Sequence, residues 1–92
     1  MKTQDLHDDV RVRAGAAVWR TLDDQTVLLA LDSSTYLQLN ATGTLLWPML
    51  VEGTTPAALI AALVAHFDVD ADRAAADVDA FLDGCRQQRL LA

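Results

Sequence analysis

Three aspartates at alternate positions, Asp68, Asp70 and Asp72, come nearest to a metal-ligating pattern in this chain. A calcium loop uses such spacing to bring several carboxylates onto one hard cation. It also needs glycine at its sixth place and a bidentate glutamate at its twelfth, where this chain has Arg73 and Asp79. A helix start explains the same residues better, with Asp70 as the cap and Asp72 at the positive end of the dipole. His7 and His66 stand far apart, with no Cys or His at ligand spacing to either, which argues against zinc. Cys85 falls on an apolar helical stripe, where a free thiol behaves as a small hydrophobe; a nucleophile would need a base and a lowered pKa. Ser33-Ser34 sits between strands without the glycine-rich elbow of a serine hydrolase. There is no glycine-rich phosphate loop. These residues predict no catalytic centre, no metal and no cofactor.

Length and charge narrow the classes further. Ninety-two residues suit one domain, expected over 1–92 with a flexible N-terminal arm of about residues 1–9. A hydrophobic share of 52% against 22% charged argues against disorder. Thirteen acids and seven bases give a net charge of −6, which opposes binding to a phosphate backbone. The apolar runs are too short to span a membrane, and the charged opening segment is not a secretory signal. One cysteine cannot form an internal disulfide, so a reducing, cytoplasmic setting is expected.

The elements that position the side chains fall into two halves. Val10–Arg13 alternates, and Ala17–Thr21, Thr26–Leu31 and Thr35–Leu39 follow as short strands split by Asp23-Asp24 and Asp32-Ser33-Ser34. Two short connections in a row predict a three-stranded antiparallel meander with Thr26–Leu31 in the middle. The second half predicts three helices. Asn40, Thr55 and Asp70 are their caps, Pro56 sits at a first helical position, and Gly53 is an exit residue. Pro48 predicts a kink or early end in the first helix, and Gly84 costs the third roughly 1 kcal/mol relative to alanine. The fold class is α+β, because a three-stranded sheet needs the helices to cover its apolar face.

The third strand raises a functional question. Thr35–Leu39 is an outer strand with no charge, proline or lysine to blunt its edge. Such an edge is covered by the N-terminal arm or a dimer partner, or else it is a rail for an extended peptide. The middle strand is apolar on both faces, Val27, Leu29 and Leu31 against Leu28 and Ala30, so its second face also calls for cover by the Val10–Arg13 arm or a partner.

An ordered series of short pieces carries a family resemblance. It comprises Val27-Leu28-Leu29, Tyr36, Leu39-Asn40-Ala41-Thr42-Gly43, Leu46-Trp47, Gly53-Thr54, Leu59-Ile60-Ala61-Ala62-Leu63, Phe67-Asp68-Val69, Asp77-Val78, Phe81-Leu82 and Leu90-Leu91. Over roughly residues 16–91 the chain resembles the PqqD-like family of recognition domains for ribosomally made, post-translationally modified peptides. That resemblance implies a winged-helix-like fold and a non-catalytic protein. It also implies that the leader segment of a precursor peptide adds as a strand beside the third strand and lies against the third helix. The rail would be Thr35, Tyr36, Leu37, Gln38 and Leu39, and the helix wall Asp77, Val78, Phe81 and Cys85. The implied partners are a precursor leader peptide and a leader peptidase or other tailoring enzyme. The free-standing form is most similar to lasso-peptide recognition proteins, with a quinone-cofactor role as the nearest relative. Three positions depart from the family pattern: Arg89 stands where glycine is frequent, Cys85 where leucine is common, and Pro48 is unusual.

Other classes compete. A winged helix can read DNA, but Asp77, Asp79 and Asp83 on the third helix repel phosphate. A carrier protein would need an attachment serine at a helix start, and Ser33 and Ser34 lie between strands. A structural module that forms a homodimer through the open edge is the plainest alternative.

Overall fold

The structure, a computed structural model, describes residues 8–92. Its elements are β1 (Ala17–Leu22), β2 (Gln25–Ala30), β3 (Thr35–Leu39), α1 (Ala41–Glu52), α2 (Pro56–Phe67) and α3 (Ala71–Gln87). The sheet has the order β1-β2-β3, antiparallel throughout, with Val18 opposite Leu29 and Leu29 opposite Tyr36. This is an α+β fold, compatible with a winged-helix-like description.

The meander follows from its turns. Asp23 and Ser34 take left-handed φ values of 52° and 54°, which reverse the chain within a few residues. Strand alternation then sorts the side chains. Thr26, Leu28 and Ala30 are buried against the helices, while Val18, Val27 and Leu31 stay exposed on the far face. The hydroxyls of Thr26 and Thr21 bond each other at 2.9 Å, so the buried threonine is satisfied.

The helices begin where their caps dictate. Oδ1 of Asn40 accepts the Gly43 N–H at 3.0 Å, the Thr55 hydroxyl accepts the Ala58 N–H at 3.2 Å, and Oδ1 of Asp70 accepts the Arg73 N–H at 2.7 Å. Gly53 ends α1 at φ 98°, as its exit role requires. Leu46, Trp47 and Leu50 of α1 meet Leu59 and Leu63 of α2, Val78 and Leu82 of α3, and Leu28 of the sheet in one core.

Two expectations are corrected. Pro48 does not end α1, which continues to Glu52. Pro48 is exposed, while Leu46, Trp47 and Leu50 are buried and anchor the helix on both sides of it. Val10–Arg13 is not a sheet strand. Val10 exchanges backbone bonds with Thr54 at 2.8 and 2.9 Å, and Arg13 donates to the Leu90 carbonyl at 2.7 Å. This segment therefore joins the α1–α2 connection to the chain's last residues, and Gly15, at φ 74°, turns it into β1. Within the described residues it covers neither the β3 edge nor the outer face of the sheet. The expected arm over 1–9 lies mostly outside the described residues.

Candidate functional site

The hydrogen-bond phase of β3 decides what its open edge offers. Along an antiparallel strand, the N–H and C=O of successive residues point alternately to the two sides. Leu31 donates to the Ala16 carbonyl at 2.8 Å, so the odd-numbered residues of β2 face β1. Thr26, Leu28 and Ala30 therefore bond β3, through their partners Leu39, Leu37 and Thr35. The backbone groups of Tyr36 and Gln38 point the other way. Among the described residues no strand pairs with that side, so two donors and two acceptors face outward on an edge without charge or proline.

The opposite edge strand, β1, is exposed from Val18 to Leu22. Ala17 and Trp19 of β1 line a cleft of about 350 Å³ whose other wall includes Arg11–Gly15 and Val51. Trp19 meets Trp47 edge-on there, with ring centroids 5.5 Å apart.

Side chains of β3 divide as the alternation predicts. Tyr36, 74% exposed, and Gln38 lie on the outer face, while Thr35, Leu37 and Leu39 are half-buried on the helix side. Helix α3 is tied to this strand region at two points. The Ser33 hydroxyl donates to Oε1 of Gln88 at 3.0 Å. At the other end Gly43 is pinched: a Cβ there would lie 3.0 Å from Leu39 Cβ and 3.3 Å from the Phe81 ring. Glycine at 43 thus lets the first turn of α1 approach β3 and Phe81 closely. Between the two ties lies the flank of α3 that faces β3.

The proposed wall splits into two layers. Phe81 and Asp77 are half-buried and reach the surface, whereas Val78 and Cys85 are buried, at 0% and 5% exposure. These two back the wall from behind and present no surface to a ligand in the free domain. Burial pushes the Cys85 thiol up to about 12, with Arg86 pulling weakly the other way. A thiol held neutral in this way is no nucleophile at neutral pH. Asp77 lies 3.8 Å from Arg73 one turn earlier, an exposed pair of little energetic weight. Asp68 closes α2 in the left-handed region and Asp70 caps α3, so the aspartate triplet is helix punctuation. Among the described residues no group of carboxylates, cysteines and histidines could hold a metal.

The end of α3 explains one departure from the family pattern. Arg89 adopts φ 57°, its N–H bonds the Arg86 carbonyl at 2.9 Å, and the Leu90 N–H bonds the Cys85 carbonyl at 2.9 Å. This is the Schellman arrangement, whose left-handed position normally favours glycine. Arg13 holds it by donating to the Arg89 carbonyl at 2.7 Å while pairing with Asp32 at 2.9 Å. Sequence reasoning missed Ser33, Gly43 and Gln88 as parts of the groove. The serine in a turn and the glycine in a first helical turn were the only signals they offered.

A sheet edge with outward backbone groups, flanked by an amphipathic helix, is the kind of surface to which an extended peptide can add as a strand. The family model for coenzyme PQQ synthesis protein D (PqqD) matches residues 25–91, and the chain belongs to that family. Its structure is similar to that of TbiB1, solved in complex with the TbiA(beta) leader peptide, with a TM-score of 0.78 and 33% identity. The match covers 88% of this chain and 93% of that one. No curated protein matches the chain.

Proposed function

We propose that this protein is a non-catalytic recognition protein for the leader segment of a ribosomally made precursor peptide. The leader adds as a fourth strand to β3, bonding the Tyr36 and Gln38 backbone, and rests on α3 at Phe81 and Asp77. Val78 and Cys85 keep that wall rigid. The observation that carries this reading is the outward, unblunted edge of β3 beside α3, in a chain similar to a leader-binding protein.

The energetics are adequate. Each apolar side chain the leader fully buries contributes roughly 1.5–3 kcal/mol, against the cost of ordering a disordered segment. Micromolar to high-nanomolar affinity follows for two or three such side chains. Because backbone bonds and apolar contacts dominate, affinity depends weakly on salt. The exposed acids Asp72, Asp79 and Asp83 on α3 favour a peptide over nucleic acid.

The bound leader would be handed to a leader peptidase or other tailoring enzyme, in a lasso-peptide pathway by the family resemblance. Strand addition leaves the outer sheet face, with Val18, Val27 and Leu31 exposed, open to such an enzyme. The setting is the reducing cytoplasm, and the open β3 edge also allows a homodimer when no leader is bound.

Fluorescence anisotropy tests the reading. Labelled TbiA(beta) leader, or a leader from a precursor encoded beside this protein's gene, should bind saturably, and scrambled peptide and duplex DNA should not. Binding of the DNA alone would refute peptide recognition.

A further inference from the structure

The chain has four glycines, and three explain themselves. Gly15 and Gly53 have φ values of 74° and 98°, which side chains rarely adopt. Gly43 has neighbours at 3.0 and 3.3 Å from where a Cβ would stand. Gly84 has neither reason. It lies inside α3 at an ordinary helical φ, and a Cβ added there meets nothing within 4 Å. A mid-helix glycine weakens the helix relative to alanine, so it persists at a cost that packing within the chain does not require.

Its position supplies the reason. At 100° per residue, Gly84 falls on the same side of α3 as Asp77 and Gln88, one step around from Phe81 and away from Leu82, which faces the core. That flank runs from Gln88, bonded to Ser33 in the turn before β3, toward Phe81, whose ring stands against Gly43 in the first turn of α1. Gly84 is exposed, and the open space over it lies on the side of α3 that carries Asp77 and Gln88. A strand docked on β3 points alternate side chains toward α3.

We propose that Gly84 sets the size specificity of the groove: the absent side chain leaves a notch for a bulky apolar side chain, aromatic or branched, of the docked peptide. This rests on the leader-binding reading and adds the substrate feature that the site selects.

Two opposite signs test it. Gly84→Ala removes the helix penalty, so the free domain should melt about 4–8 °C higher. The same variant should bind the TbiA(beta) leader at least tenfold more weakly, and Gly84→Leu should not bind it measurably. One bulky apolar residue of that leader, when trimmed to alanine, should weaken wild-type binding yet restore part of the affinity of Gly84→Ala. Wild-type affinity in a stabilised Gly84→Ala would overturn the notch while leaving leader recognition intact. Absence of wild-type binding to this leader would overturn both.

Discussion

Proline at position 38 separates the docking rail from the fold. The Gln38 N–H points away from β2, so Gln38→Pro removes no ladder bond. Leu37 before it is already extended, which proline requires of its predecessor. The free domain should lose no more than about 1 kcal/mol, from forcing φ toward −65° on an edge strand. A docked strand meets a different surface. It loses one backbone hydrogen bond, about 0.5–1.5 kcal/mol net, and the ring occupies the space where the acceptor carbonyl would lie. The combined loss is about 2–3 kcal/mol, a 30- to 150-fold rise in Kd. Leu37→Pro is the control, because its N–H bonds Leu28, so proline there breaks the β2–β3 ladder and should collapse the cooperative melt. Circular-dichroism melts and anisotropy titrations with labelled leader read the two quantities separately. Unchanged affinity in a folded Gln38→Pro would refute the edge assignment, and equal melts for the two variants would refute the hydrogen-bond phase.

Other consequences are independent of that edge. Phe81 is half-buried, so Phe81→Ala should weaken leader binding about tenfold, near 1.4 kcal/mol, with a cooperative melt retained; loss of cooperative unfolding would show it to be core instead. Arg89→Gly relieves a left-handed φ and should stabilise the domain by up to about 1 kcal/mol in urea unfolding, less whatever the Arg13 contact loses. The raised Cys85 pKa means that the folded state keeps a proton the unfolded chain releases above about 9. Stability is therefore intact below pH 9 and falls by about 1.4 kcal/mol per pH unit as pH climbs toward 12. Cys85→Ala should lack that component of the slope, and identical slopes in the two proteins would contradict the burial of the thiol.

Much of this architecture was legible in residue types. Asn40, Thr55 and Asp70 marked three helix starts because a cap is a local device, set by one side chain and one amide. Thr35–Leu39 was bounded correctly by its turn residues and its alternation. Pro48 misled because tertiary packing of Leu46, Trp47 and Leu50 outweighs a local helix defect. Val10–Arg13 alternates like a strand, yet its partners are Thr54 and Leu91, far along the chain and invisible to local pattern. The site was legible only in outline. The α3 stripe put Val78, Phe81 and Cys85 on one face, but periodicity cannot tell the centre of a face, where Val78 and Cys85 are buried, from its rim. Gly84 showed as a helix penalty, and its meaning needed the open space above it. The direction of the Tyr36 and Gln38 amides depends on register, which one bond from Leu31 to Ala16 supplies.

Amide-shift mapping by NMR tests leader docking on β3 most directly. Labelled protein would be titrated with the TbiA(beta) leader peptide, with duplex DNA as the control. Docking by strand addition predicts shifts confined to Thr35–Leu39 and Asp77–Gln88, largest at the Tyr36 and Gln38 amides, and none with DNA. Shifts centred on the outer sheet face or on the cleft beside Trp19, with the β3 amides unmoved, would contradict it.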